Sequence, residues 1–345
     1  MSRLARRLVF LASAGLLALG ALGAGAAHKP RAVAEPSYGT RTEVREFVHW
    51  MVAHHGFTEG ELRHLFNQVK RQPEILKAIR PPLSPRTRSW ANYRPIFVND
   101  RHIAQGLQFL EQYAAALARA EREYGVPQEI IAAIIGVETS YGRNMGKWRV
   151  ADALATLAFD YPPRAEYFRS ELESFLLFTR EAKLDPLEVR GSYAGAIGIP
   201  QFMPRSYRLF AVDFDGDGVV LLRSSPTDAI GSVANFLRLH GWVPGEPIVY
   251  PATLGTADAA PLVAAGLKPS RSLEDLSTLG IAIRAEPAPK PGTLGALIEL
   301  ETPDKPSEYR VGLENFFVIT RYNRSSFYAA AVNDLAEALR RASAR

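Results

Sequence analysis

The run Ile130-Ile131-Ala132-Ala133-Ile134-Ile135-Gly136-Val137 is among the most apolar stretches of this chain, and it ends on a carboxylate, Glu138. Pro127 suits the first turn of a helix, and Thr139-Ser140-Tyr141-Gly142 breaks the run directly after the acid. The pattern predicts a core helix with an acid at its carbonyl end. Ile135 and Ile134 precede Glu138 at the i−3 and i−4 positions, so its side chain is expected to be partly desolvated. The negative end of the helix dipole also disfavours its ionised form. Both effects raise a Glu pKa toward what a general acid working near neutral pH requires. A solvated Glu that merely ends a core helix is the other reading, and this stretch alone does not separate the two.

At 345 residues the chain is long enough for two or three packed units. Cysteine is absent, which excludes disulfides, thiolate metal sites, a thiol nucleophile and lipidation on an N-terminal Cys. The first 27 residues read as a cleaved export signal. Arg3, Arg6 and Arg7 form a basic start, Leu8 to Leu19 is largely apolar, and Gly23-Ala24-Gly25-Ala26-Ala27 offers small residues for cleavage. An uncleaved anchor is the alternative, because Leu8 to Ala27 is just long enough to span a bilayer. Removing the segment takes away three Arg and no acids, so the formal charge of +5 falls to +2. That residual gives no footprint for nucleic acid.

Residues 28–40 read as a linker and 41–100 as an N-terminal helical region. Thr58 and Glu61 predict a capping box, with Phe57 and Leu62 as its hydrophobic staple. Pro81, Pro82 and Pro85 break the pattern. Helices are expected over 102–124, 150–158, 164–182, 226–240 and 326–341. Residues 191–206, with Gly191, Gly195, Gly198, Pro200 and Pro204, are too rich in Gly and Pro for a long helix and too apolar for a loose linker. Such backbone suits close packing under a ligand cleft, or packing alone. Past Gly241, short alternating segments such as 296–300 and 316–320 read as strands.

Asp213-Phe214-Asp215-Gly216-Asp217-Gly218 looks like the opening of an EF-hand calcium loop, with Val219 supplying a carbonyl. Ser224 stands where a bidentate Glu is usual, and Asp228 is the nearest acid able to close a longer loop, so a weak structural Ca2+ site is expected, with a cation-free acidic turn as the alternative. No HExxH, GxSxG or Walker pattern occurs, and His64 and His102 read as helix-surface residues. Tyr93, Tyr141, Gln201, Phe202, Tyr207, Tyr322, Asn323 and Tyr328 cluster near the candidate cleft segments and together suit a sugar site, where rings stack on pyranose faces and amides pair with hydroxyl and acetamido groups, although each taken singly reads more readily as a core or surface residue.

The motifs Val137-Glu138-Thr139-Ser140-Tyr141-Gly142, Gly191-Ser192-Tyr193-Ala194-Gly195-Ala196, Gln201-Phe202-Met203-Pro204 and Tyr322-Asn323, with Asp228-Ala229-Ile230-Gly231-Ser232-Val233-Ala234-Asn235, occur in one order from about Trp90 onward. In these the chain resembles the membrane-bound lytic murein transglycosylase B family. The resemblance implies a mainly α (α+β) fold. A lysozyme-like helical core with the EF-hand-like loop would cover 101–245, flanked by a helical domain, a small β-containing domain over 246–324 and a C-terminal helix over 325–345. It implies cleavage of the MurNAc–GlcNAc β-1,4 bond of peptidoglycan without water, leaving a 1,6-anhydro-MurNAc end, and no cofactor for the chemistry. By motif, Glu138 is the catalytic acid and base, and Ser192 and Gln201 line the subsite for the MurNAc acetamido group. Tyr93, Arg164, Tyr322, Asn323 and Tyr328 would lie along the glycan or peptide path. Glycan strands are the expected partner, with cell-wall synthesis or division proteins as possible recruiters of a monomer. A hydrolytic muramidase on the same fold and a non-catalytic wall-binding protein are the alternatives.

Three departures qualify the resemblance. The missing cysteine removes the lipid anchor of many relatives, so a soluble periplasmic form is expected. Pro163 stands where relatives often carry a second Arg beside Arg164, and the ion loop has one extra residue before Asp228. Asp152, Asp160 and Glu166 remain open as a second acid.

Overall fold

The computed structural model describes residues 37–80, 89–286 and 288–344. The export-signal reading of 1–27, most of the linker, and the three prolines at 81, 82 and 85 lie outside these residues. Among those described, no helix is long and apolar enough to cross a membrane.

Three helices open the chain: α1 (Thr42–His55), α2 (Glu59–Gln68) and α3 (Pro73–Ala78). The Thr58 hydroxyl accepts from the Glu61 amide and the Glu61 carboxylate accepts from the Thr58 amide, which completes the expected capping box. Phe57 and Leu62 are both buried beside it. Helices α4 (Trp90–Phe97), α5 (Asp100–Gln112), α6 (Ala114–Tyr124) and α7 (Gln128–Thr139) follow. One helix was expected over 102–124; the chain instead turns at Tyr113, with φ −113° and ψ 24°. No Gly or Pro marks that turn, so periodicity reads through it.

α7 explains its own composition. It lies against α5, α6, α11 (Pro226–Leu239) and α15 (Ser326–Ser343), and every residue from Ile130 to Gly136 is buried. A helix enclosed on all sides has no polar face to display. Gly136 is required by the enclosure, since a Cβ there would stand 2.7 Å from the Tyr141 ring and hydroxyl.

The middle of the chain supplies α8 (Val150–Asp160), α9 (Ala165–Glu181) and α10 (Pro204–Phe210), and a short antiparallel pair of β1 (Trp148–Arg149) with β2 (Arg190–Gly191). α3 packs on α8, where Asp152 and Asp160 tie the first helices down. Asp152 accepts from the Lys70 amide at 2.9 Å and pairs with Arg149 at 2.8 Å, while Asp160 pairs with Arg41 at 2.9 Å. Those carboxylates are engaged in holding helices together. Glu166 lies exposed in the first turn of α9.

A five-stranded antiparallel sheet forms late in the chain: β3 (Val249–Leu254), β4 (Arg271–Ser272), β5 (Ile281–Ile283), β6 (Leu294–Leu300) and β7 (Glu308–Gly312), in the order β4-β6-β7-β3-β5. Two small helices, α12 (Ala259–Ala264) and α13 (Leu273–Thr278), complete this part. Alternation along β6 sends Leu297 into a small core with Leu262, Leu276 and Val311, and sends Ala296, Ile298 and Leu300 into the main core. β6 is thus buried on both faces, whereas β3 leaves Pro251 and Thr253 exposed on one.

Residues 316–320, expected as a strand, belong to helix α14 (Glu314–Tyr322). Asn315, Phe316, Val318, Ile319 and Thr320 are all buried there, so the run is apolar on several sides and periodicity cannot tell it from a strand. Burial overrides the β-propensity of its branched and aromatic residues.

Candidate active site

Glu138 occupies the last turn of α7, and the chain then takes the left-handed region at Ser140 (φ 49°) and Tyr141 (φ 60°). Thr139 secures this exit. Its hydroxyl bonds the Ile199 carbonyl at 2.8 Å and accepts from the Gly142 amide at 2.9 Å, tying the helix end to the 191–206 segment. In the sequence Thr139 stands only as part of the break after the acid, and no spacing signals the partners of its hydroxyl.

The segment under the helix end is packed backbone. Ile197 bridges to Gly191 and to Phe202, and a Cβ at Gly198 (φ 77°) would meet the Leu222 carbonyl at 2.5 Å. Ser192 is buried, and its hydroxyl oxygen accepts from the Ala196 amide at 3.0 Å. Gln201 adopts φ 51° and donates its side-chain amide to the Gly198 carbonyl at 2.8 Å, with the Met145 carbonyl at 3.4 Å. Its carbonyl end receives no hydrogen bond from the described residues.

Three tyrosines from three helices close around Glu138. The Tyr328 hydroxyl, on α15, donates to Glu138 Oε1 at 2.7 Å. Tyr322, at the end of α14, stacks on Tyr328 with ring centroids 6.3 Å apart and donates its hydroxyl to the Pro200 carbonyl at 2.6 Å. Tyr93, on α4, packs on Phe327 at 5.7 Å. The hydroxyl pKa of each is raised, by burial first and then by the Glu138 charge. Glu138 keeps some solvent access, yet protein atoms crowd its carboxyl closely. Desolvation pushes its pKa up to about 7, with the Tyr328 hydrogen bond pulling the other way. A convex surface position would give none of this.

A family model for the transglycosylase SLT domain matches residues 39–337. The chain belongs to the lytic transglycosylase family. It is 42% identical over 313 residues to the membrane-bound lytic murein transglycosylase B of Escherichia coli K12, covering 88% of this chain and 84% of that one. The soluble lytic transglycosylase SltB1 of Pseudomonas aeruginosa is 50% identical, with 88% of this chain and all of that one covered and a TM-score of 0.80. The E. coli lytic transglycosylase Slt35, solved in complex with calcium, is 42% identical over 87% of this chain and 93% of that one, with a TM-score of 0.78.

Within this transglycosylase the remaining candidates fall in different places. Tyr328 is only 2% exposed, so it faces the acid and not an open path. Asn323 caps α14 partly exposed, and its side chain makes no hydrogen bond among the described residues. Residues 323–325 join two helices, where the strand expected at 316–320 would have joined a strand to a helix. Arg164 holds its guanidinium 4.4 Å over the Tyr167 ring. His102 is half-buried, contrary to its surface reading, with Nε2 3.4 Å from the Ser140 hydroxyl; burial and then Arg101 lower its pKa.

The acidic loop divides its expected ligands. Asp213, Asp215 and Asp217 are exposed and bring carboxylate oxygens within 4.8 Å of one another. Calcium–oxygen distances of about 2.3–2.6 Å fit that spacing. Val219 is exposed, and its amide donates to Asp217 Oδ1 at 2.8 Å. Asp228 has another task. It is fully buried, and its two oxygens accept from the amides of Phe214 (2.8 Å), Asp215 (3.3 Å) and Leu221 (2.8 Å). It therefore shapes the loop from inside instead of closing it as a ligand.

Burying Glu138 near pKa 7 has a linked effect on stability. A folded-state pKa above the unfolded value leaves stability intact below about pH 4.5 and erodes it as pH rises to about 7. Glu138→Gln is expected to be more stable than the parent at pH 8, by up to about 3 kcal/mol, and to lose that advantage at pH 4. Calorimetry at the two pH values checks this; equal gains at both would show that ionisation is not the cause.

Proposed function

We propose that Glu138 acts first as acid and then as base in a peptidoglycan lytic transglycosylase that breaks the MurNAc–GlcNAc β-1,4 bond without water. The observation that carries this reading is a crowded carboxyl poised at about 7, with one hydroxyl donor on it. The protonated acid gives its proton to the glycosidic oxygen as the bond to C1 breaks. The MurNAc acetamido oxygen closes on C1 as an oxazolinium, taking the place of the second carboxylate that ordinary glycosidases use. Glu138, now ionised, removes the proton from the C6 hydroxyl of the same sugar, and that oxygen attacks C1. The product ends in 1,6-anhydro-MurNAc, and Glu138 is protonated again. A pKa near 7 serves both half-reactions.

Ser192 and Gln201 are proposed to hold the acetamido group. The Ser192 hydroxyl uses its oxygen on Ala196 and keeps its proton for an outside acceptor, while the Gln201 carbonyl faces no donor of the described residues. Tyr93, Tyr322 and Asn323 are proposed to line the glycan path, and Arg164 the outer peptide path. The compartment follows from the substrate: the sacculus lies in the periplasm, and that is where the proposed soluble enzyme works.

Mass spectrometry of digested sacculi tests the reaction. Anhydro-muropeptides, one water lighter than hydrolytic products, are expected. Reducing ends alone would replace the reading with a lysozyme-type muramidase, and no products would leave a wall-binding protein. The loop is proposed to take calcium weakly and structurally. At tenfold excess over its Kd the ion is expected to add about 1.4 kcal/mol, read as a rise in melting temperature that Asp213→Asn removes. An unchanged melting temperature at millimolar calcium would dismiss the site.

A further inference from the structure

The helices that carry two of the tyrosines around Glu138 are fastened by one ionic network. On α15, Phe327 and Asp334 stand seven residues apart, hence on one face, with Tyr328 about 100° round the helix toward α7. That first face meets α4: Phe327 packs on Trp90 at 5.5 Å and on Tyr93 at 5.7 Å. Asp334 Oδ2 accepts from Arg94 Nε at 2.6 Å, and its Oδ1 accepts from Arg310 Nη1 at 2.6 Å. Arg310, on β7, also donates to Glu308 at 2.6 Å, and Glu308 accepts from the Trp90 indole at 3.0 Å. The Trp90 amide donates to the Glu301 carbonyl at 2.7 Å, just past β6. Asp334 and Arg310 are both buried. Burial alone would raise the Asp334 carboxyl, but the Arg310 and Arg94 guanidinium groups hold it below its usual range.

Buried ion pairs are often replaceable by apolar residues without loss of stability. What forked guanidinium–carboxylate bonds supply is direction. We propose that the Arg94–Asp334–Arg310 network, anchored on the small sheet, is a positioning device that fixes the roll of α15 and so holds the Tyr328 hydroxyl on Glu138. The inference rests on the reading of Glu138 as the acid and base.

The test is the pH profile of anhydro-muropeptide release for Arg94→Ala, Asp334→Asn, Tyr328→Phe and Glu138→Gln. The groups facing Glu138 are the hydroxyls of Tyr328 on α15, Tyr93 on α4 and Tyr322 on α14. The Arg94 side chain is 41% exposed, so its variant is expected to fold even if Asp334→Asn does not. Arg94→Ala is expected to move the alkaline limb upward by about half a pH unit, in the direction of Tyr328→Phe, and to add nothing in the Tyr328→Phe background. A limb that stays in place in Arg94→Ala while Tyr328→Phe shifts it overturns the positioning role alone. Undiminished release by Glu138→Gln removes the reading beneath it.

Discussion

Glu138→Gln is expected to lower anhydro-muropeptide release from purified sacculi on the order of a thousandfold, within the range that a positioned general acid supplies. The amide keeps the shape of the carboxyl and can still accept from the Tyr328 hydroxyl, so the site should remain assembled. What it lacks is the proton for the glycosidic oxygen and the basic oxygen for the C6 hydroxyl, and both halves of the proposed cycle fail together. Asp152 and Asp160 offer no substitute, because each is committed to holding the first helices on α8. Release measured by mass spectrometry on folded protein decides the matter, and a variant as active as the parent would remove Glu138 from the chemistry.

Tyr328→Phe is expected to move the alkaline limb of activity upward by about one to two pH units, since a hydrogen bond to a charged group contributes about 1.5–3 kcal/mol. The sign follows from the pair. The Tyr328 hydroxyl stabilises the carboxylate and lowers the Glu138 pKa, whereas burial raises it to about 7. Without the hydroxyl, burial acts unopposed and the acid stays protonated to higher pH. The same change makes the carboxylate scarcer when the C6 proton must be removed, so the maximal rate at neutral pH should fall about tenfold or more. A pH profile recorded with the variant reads both effects, and an unmoved limb would show that the contact is idle in the working enzyme.

The setting of Glu138 was partly legible because its surroundings are local: a carboxylate after eight apolar or small residues, followed by a chain break, points to desolvation, although a solvated helix end fits the same stretch. The Gly- and Pro-rich 191–206 segment was legible as packed backbone for a similar reason. The residues that tune the acid were read less well. Tyr328 stands 190 positions away, and only the packing of α15 on α7 turns a glycan-path tyrosine into the donor on Glu138. Asp334, Arg94 and Arg310 meet across helices and a strand distant in the chain, so no spacing could signal them. The misread strand at 316–320 has the opposite cause: enclosure makes α14 apolar on several sides and erases its period. Asp228 was noticed for its charge, but three backbone amides, invisible in sequence, claim its oxygens.

That last arrangement bears on how the acidic loop has room to vary. Because a buried aspartate already dictates the bend, the cation proposed for this loop would spend little of its affinity on folding the chain around itself. The outer carboxylates are less independent: Asp213 also accepts from the Gly216 and Gly218 amides, and Asp215 from the hydroxyl of Ser225, which caps α11, so a change at either reaches the turn and the helix start together.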